Sequence, residues 1–446
     1  MTDLSMVLEA TGALAGVGGL GYAKVRAPRV YWSLVGLPVT WGRFTLSYRS
    51  TMDVCGLTVQ PSRLRAFVTR NVARREVLPV PPKVRRVRGT STGLRVTLRL
   101  PAGLEPGDLV VASERLRHAW GVHSVTVAET RPGYVELRMT GYDVLRQVRM
   151  PRGARPVGLV VPVALREDGT AFVRDYRAVP MALTLGANNS GKSVYQRNLI
   201  KGLAGLPVAL VGIDCKRGVE HSAYAPRLSA LATTPDDAAA LLDVLVAEME
   251  SRFDLLSRHG VSDVWDLPER LRPVPVVVLV DEVAELFLIA SKKDEERRER
   301  IVTALIRLAQ MARAVGIYLE VCGQRFGSEL GKGATMLRAQ LTGRVVHRVN
   351  DKQTAEMGLA DVAPDAVVAA SLIPAERPGT AVAADSSGGW TKIRTPHTTR
   401  DEAMAACREF ARLVPDLPAL NRFRPHVPAD ALKPGPSLVK PLPVTD

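Results

Sequence analysis

Between Met181 and about Arg394 the chain alternates short, nearly unbroken apolar runs with longer stretches of helical spacing. The runs read MALTLG, PVALVGID, VPVVVLVD, GIYLEVCG and GRVVHRV. A strand with one wet face alternates apolar and polar residues, whereas a continuous Val/Leu run signals a strand covered on both faces. Strands of that kind separated by helices predict an α/β fold with a parallel sheet flanked by helices. Upstream the period changes: GLRVTLRL, HSVTVAET and YVELRMT alternate, and GDLVVASERLRHAWG between them has helical spacing. That predicts a small α+β domain over residues 91–178, ahead of a larger unit over 179–395. Within the smaller one, VALREDGTAFVRD predicts a hairpin turning at Asp168–Gly169. After Thr395, RDEAMAACREFARLV reads as a helix, and the Pro-rich KPGPSLVKPLPVTD completes a loose tail over 396–446.

Charge adds a partner class. The 446 residues carry a net charge of +15, from 60 Lys and Arg against 45 Asp and Glu. Such an excess favours a polyanion, nucleic acid or anionic lipid, without choosing a fold. The basic residues are dense from Pro61 to Arg88, where Arg63, Arg65, Arg70, Arg74, Arg75, Lys83, Arg85, Arg86 and Arg88 face one acid, Glu76. With VLPVPPK in its middle, 61–90 reads as an arginine-rich linker. Cys55, Cys215, Cys322 and Cys407 form no CxxC pair, so they suggest neither a zinc site nor a disulfide framework. Core thiols in a reducing cytoplasm fit best. Ala10–Ala23 and Val30–Gly42 lack charge but fall short of the ~20 apolar residues a spanning helix needs. Aromatics and flanking arginines make the second resemble an interfacial segment, so residues 1–60 read as a membrane-associated piece or a packing arm.

The chemistry concentrates in LTLGANNSGKSVYQ, Leu183–Gln196. Gly186 to Ser193 gives G-x-x-x-x-G-K-S between an apolar strand and a helix-like segment. In such a loop the backbone N–H groups of Gly186, Ala187, Asn188, Asn189, Ser190, Gly191 and Val194 can turn inward on phosphate oxygens at a helix N-terminus. Lys192 then reaches the β- and γ-phosphates and the Ser193 hydroxyl ligates Mg²⁺. This is a triphosphate site, with ATP and Mg²⁺ the expected ligands.

Hydrolysis requires more. PVPVVVLVDEVAELF (Pro273–Phe287) ends a buried strand in Asp281, suited to the Mg²⁺ shell, followed by Glu282 as general base for water. Gln324, at the end of the next strand, is placed to sense the γ-phosphate or position water. Arg307, Arg313, Arg344 and Arg348 are basic residues nearby in sequence, and an arginine supplied to a neighbouring subunit would stabilise transition-state charge. Arg313, Arg344 and Arg348 are the candidates for that finger.

Gly186–Arg325 resembles the motor of the FtsK/SpoIIIE DNA translocases. The resemblance rests on GANNSGKSV, VGIDCKRGVE, TTPDDAAALLDVLVAEMESRFDLL, VVVLVDEVAEL and LIRLAQMARAVGIYLEVCGQR. Lys192, Ser193, Asp281, Glu282 and Gln324 fall on its motif positions. Cys215 stands where the family has a proline, and Gly323 and Phe326 depart from its Thr-Gln-Arg-Pro stretch. The resemblance implies a RecA-like motor, hexameric rings, and double-stranded DNA as cargo. The tail shows no winged-helix counterpart, and the N-terminus lacks the usual four spanning helices. The compact organisation is similar to the conjugative transfer proteins of actinobacterial plasmids and integrative elements, and the expected location is the cytoplasm, either free or at the inner face of the cell membrane. A type VII-like secretion ATPase and an ATP-dependent DNA-binding switch are the alternative readings.

Overall fold

The computed structural model describes residues 27–60, 78–364, 366–385 and 389–427. Ala10–Ala23, Arg63 to Arg75 and the Pro-rich tail lie outside the described residues. The chain divides into two compact units, Met1–Gln147 with Glu167–Gly169, and Val148–Arg166 with Thr170–Asp446.

The first unit is built on a four-stranded antiparallel sheet of β1 (Lys83–Gly89), β2 (Gly93–Arg99), β3 (Ser124–Arg131) and β4 (Tyr134–Thr140), in the order β1-β2-β4-β3. Leu94, Val96 and Leu98 alternate into a core with Val135 and Leu137, against helices α1 (Leu37–Val54), α2 (Pro106–Val111) and α3 (Ser113–Trp120). Trp120 is fully buried there, edge-on to Phe44 at 5.1 Å. The expected linker over 61–90 needs correction at its end, because KVRRVRG is an edge strand. Val84 and Val87 turn toward the core while the basic side chains stay exposed. Backbone pairing with β2 supplies the rest, and a charged edge resists further strand addition.

The second unit carries a ten-stranded sheet. Its strands are β5 (Val160–Arg166), β6 (Ala171–Asp175), β7 (Met181–Leu185), β8 (Ala209–Ile213), β9 (Ala230–Ala232), β10 (Val276–Val280), β11 (Ile317–Gly323), β12 (Gly343–His347), β13 (Thr380–Ala384) and β14 (Trp390–Arg394). The order is β6-β5-β14-β13-β12-β7-β11-β10-β8-β9. From β12 through β9 every pairing is parallel, and β13, β14, β5 and β6 extend the sheet antiparallel. The apolar runs behave as expected of strands buried on both faces. Val276, Val278 and Val280 of β10 pack with Leu241, Leu245, Ile301 and Leu305, from helices α5 (Pro235–His259) and α6 (Lys292–Met311). Val277 and Leu279 face the other way, in a core with Leu199 and Leu203 of the helix Lys192–Ala204.

The hairpin at Asp168–Gly169 forms, with Gly169 at φ 82°. Its strands β5 and β6, however, join the large sheet through β14, so residues before 178 contribute to the motor sheet. A short alternating strand carries no local mark of which sheet it will enter, and that moves the boundary from the expected 178.

One charged pair sits inside this sheet. Glu320 of β11 and Arg174 of β6, each 5% exposed or less, form an ion pair, and Arg174 also donates to the Val179 carbonyl. Burial pushes the Glu320 carboxyl up, and the Arg174 cation opposes it. Removing one member of a buried pair strands the other charge, so Glu320→Ala is expected to cost about 3–5 kcal/mol in chemical denaturation. A loss below about 1 kcal/mol would show the pair to be dispensable. A second test concerns His347, fully buried, whose Nδ1–H donates to the Thr380 carbonyl at 3.2 Å. Burial pulls its pKa down to about 4. The unfolded chain takes up that proton near the ordinary pH of about 6.5, and the folded chain does not, so stability falls as pH drops from about 6.5 to 4. The single group accounts for about 3 kcal/mol over that window. His347→Gln should flatten this part of the stability profile, and an unchanged slope would contradict the assignment.

Candidate nucleotide site

β7 runs straight into the phosphate-loop sequence. The Gly186 N–H donates to the Gly323 carbonyl at the end of β11, and the Ala187 N–H to the Arg348 carbonyl just after β12. The loop is thereby held between the ends of its two neighbouring strands. Asn189 (φ 59°) and Gly191 (φ 107°) then take left-handed conformations that turn the chain into the helix α4 (Lys192–Ala204). A Cβ at Gly191 would lie 2.3 Å from the Gly379 nitrogen, so glycine is required by space as well as by φ. The Gly379 N–H donates to the Ser190 carbonyl at 2.8 Å, clamping the loop from the β13 side. Ser190 Oγ is buried with no hydrogen-bond partner among the described residues. Ser193 and Val194 lie half-buried in the first turn of α4, where backbone N–H groups have no helical partner.

The acidic pair arrives on the same edge. β10 is buried throughout and is followed at once by Asp281, whose N–H donates to the Ile213 carbonyl at the end of β8. Asp281 and Glu282 are 5% and 7% exposed. Lys192 Nζ is 3.2 Å from Glu282 Oε2, and the Gln324 N–H donates to Glu282 Oε1 at 3.2 Å. Lys216 Nζ stands 3.7 Å from Glu282 and 3.8 Å from Asp281. Burial raises the pKa of the Asp281 carboxyl, against the opposing pull of His221 and Lys216. A cleft of about 400 Å³ opens here, lined by Ala187, Lys216, Glu282, Gln324, Arg325 and Asp351, among others. Two segments ninety positions apart in the chain meet around one carboxylate.

The arginines separate. Arg348 donates to the Asn188 carbonyl at 2.9 Å and so belongs to its own phosphate loop. Arg344 is 2% exposed and donates to the Arg338 carbonyl at 2.8 Å. A side chain so enclosed is not free to reach a neighbouring molecule, which corrects its candidacy as a finger. Arg313 is exposed and lines a different cavity with Pro275 and Tyr318, at the start of the parallel strands, the edge away from the loop. Arg307 pairs with Glu250 at 2.6 Å on the helix surface. Gln324 is exposed at the cleft, and its backbone rather than its amide makes the contact to Glu282.

Sequence reasoning gave no site role to Asp214, Lys216 or Gly379, although the first two lie in the VGIDCKRGVE segment. Asp214 is 1% exposed and accepts from the N–H groups of Lys216 (3.2 Å), Glu220 (2.8 Å) and His221 (3.0 Å), building the turn that carries Lys216 to the carboxylates. An acid closing a parallel strand, with a lysine two positions on, was the available signal.

A family model described as the actinomycete conjugal transfer protein N-terminal domain matches residues 17–141, and the FtsK/SpoIIIE family model matches 145–271 and 266–328. Transfer protein TraSA of Streptomyces ambofaciens is 56% identical over 394 residues, covering 86% of this chain and 95% of that protein. A sporulation regulatory protein of Streptomyces azureus is 83% identical over 270 residues, 60% of this chain and 89% of that protein. DNA translocase FtsK of Caldanaerobacter subterraneus is 28% identical over 283 residues, which span 38% of its length. Among solved structures, the pCW3 conjugation coupling protein TcpA, in monomer form with ATPgS, shares the fold at TM-score 0.54 and 18% identity, covering 83% of this chain and 99% of that one. The phosphate loop, the paired carboxylates and these relatives agree, and the chain belongs to the FtsK/SpoIIIE family, among the actinomycete conjugal transfer proteins related to TraSA.

Proposed function

We propose that this protein is an ATPase that drives double-stranded DNA in the conjugal transfer of a plasmid or integrative element. The carrying observation is the 3.2 Å contact between Lys192 and Glu282, which joins the phosphate loop to the hydrolytic carboxylate. In this reading the loop N–H groups from Gly186 to Val194 hold the phosphates of ATP, and Lys192 exchanges Glu282 for the γ-phosphate. Ser193 and Asp281 would hold Mg²⁺. The fit is chemical: Mg²⁺ takes few protein oxygens beside substrate phosphates, and the Ser193 hydroxyl in the first turn of α4 and the Asp281 carboxylate just after β10 are oxygen donors. When bound, the ion draws charge from the β- and γ-phosphates. Glu282, aimed by the Gln324 N–H, accepts the proton of the attacking water, and the Gln324 amide positions that water. Arg313, exposed, is left as the candidate finger in trans, while Arg348 shapes its own loop.

The cargo reading rests on the family together with a charge of +15, since Lys and Arg contacts to phosphate give grip without reading sequence. A homo-oligomeric ring, hexameric as the family resemblance implies, is part of the proposal. So is a place at the inner membrane face. No described helix is long and apolar enough to cross a membrane. Yet α1 exposes Val39, Trp41, Leu46 and Val54 beside Arg43 and Arg49, a composition suited to a lipid interface.

Lys192→Ala should abolish turnover, and Glu282→Gln should bind ATP but hydrolyse it about 10²–10⁴-fold more slowly in a phosphate-release assay. Normal hydrolysis by either variant would reject the site. Linear duplex DNA should stimulate the wild-type ATPase, with stimulation falling steeply as salt rises. ATP hydrolysis indifferent to DNA would favour a protein-secretion motor, and tight DNA binding without turnover would favour a switch.

A further inference from the structure

In the proposed reaction Lys192 leaves Glu282 for the phosphates. Glu282 is 7% exposed, and a buried carboxylate that loses its cation is costly unless another takes its place. The geometry points to Lys216 as that replacement: a positioning residue that holds the Glu282 carboxylate in place while Lys192 engages ATP. This rests on Glu282 being the base.

Three observations carry it. Lys216 approaches from a different loop than Lys192, at 3.7 Å from the same Oε2 and 3.8 Å from Asp281 Oδ2. Both distances exceed a hydrogen bond, and a small swing of a four-carbon stem closes either. The Lys216 side chain is 40% exposed and lines the 400 Å³ cleft, so it fills no core and has room to move.

Its backbone, by contrast, is fixed. Asp214 binds the N–H of Lys216 and those of Glu220 and His221, Arg217 (φ 58°) and Gly218 (φ 72°) sit in left-handed conformations, and the Gly218 N–H returns to the Asp214 carbonyl at 3.0 Å. A Cβ at Gly218 would meet Ser222 Oγ at 2.3 Å. Strained turns of this kind persist where the surroundings over-determine them. The result is a rigid mount for a mobile cation. In the structure Glu282 thus faces two lysines and one backbone N–H, of which only Lys192 has a competing task at the phosphates.

The test uses the full chain with Lys216→Ala, Lys216→Arg, Glu282→Gln and the Lys216→Ala/Glu282→Gln double variant. Affinity for a fluorescent ATP analogue checks that each variant is folded. Lys216→Ala should lower kcat about 10–100-fold with KM for ATP within about threefold, because the lost interaction serves the base and not ground-state binding. Lys216→Arg should restore most of kcat, since the task needs a cation and not a particular fork. The double variant should be no slower than Glu282→Gln alone, as residues acting as a unit are not additive. Three results would overturn the role: wild-type kcat in Lys216→Ala, a raised KM with kcat intact, or full additivity in the double variant. Wild-type kcat in Glu282→Gln would instead remove the base reading itself, and the two failures are thereby distinguishable.

Discussion

Two carboxylates buried at the end of one strand cannot stand without cations beside them, and this constraint organises the edge that holds the candidate site. Asp281 and Glu282 follow β10, where every residue is withdrawn from water. Their charges are met by lysines delivered from the loops after β7 and β8. Neither loop is a sequence neighbour of β10. Parallel pairing in strict register brings them together: Val280 opposes Ile213 on one side and Val321 on the other, and Gly323 opposes Leu185. Ligands collect at the carboxyl edge of such sheets because all the loops leave there.

The sheet that sets this edge is held from within by side chains of two kinds. Alternate residues of each central strand serve opposite cores, so a shift of one residue would exchange both faces at once. Glu320, paired with Arg174, adds a charged contact inside the same strand that ends in Gly323, the carbonyl partner of the phosphate loop. β11 thus carries both the buried charged pair and the carbonyl that anchors the phosphate loop. The antiparallel strands β13 and β14 extend the sheet beyond β12, and Gly379, at the start of β13, clamps the phosphate loop through Ser190.

The fold of the motor was legible wherever both faces of a strand are buried, because that leaves a continuous run such as VVVLV with no other explanation. The phosphate loop and Asp281-Glu282 were legible for a related reason: their spacing is demanded by chemistry that few other sites share. Other features depend on partners far along the chain. KVRRVRG hid a strand behind its arginines, since an edge strand needs backbone pairing and little apolar surface. β5 and β6 alternate as a half-wet hairpin would in either sheet, and the sequence holds no sign of β14 as their neighbour. Arg344 and Arg348 look alike in GRVVHRV, yet one is enclosed beside Asp361 and the other reaches Asn188. Lys216 stands in a segment with a recognisable pattern, but its meeting with Asp281 and Glu282 depends on the end of a strand more than sixty positions away.

We propose that ATP enters where Lys192 now meets Glu282. A structure of the protein with a non-hydrolysable ATP analogue and Mg²⁺ measures this directly. Lys192 Nζ is expected on the γ-phosphate, with Glu282 released from it and the triphosphate between Gly186–Ser193 and Asp281. A nucleotide bound elsewhere, with the Lys192–Glu282 pair still closed, would contradict it.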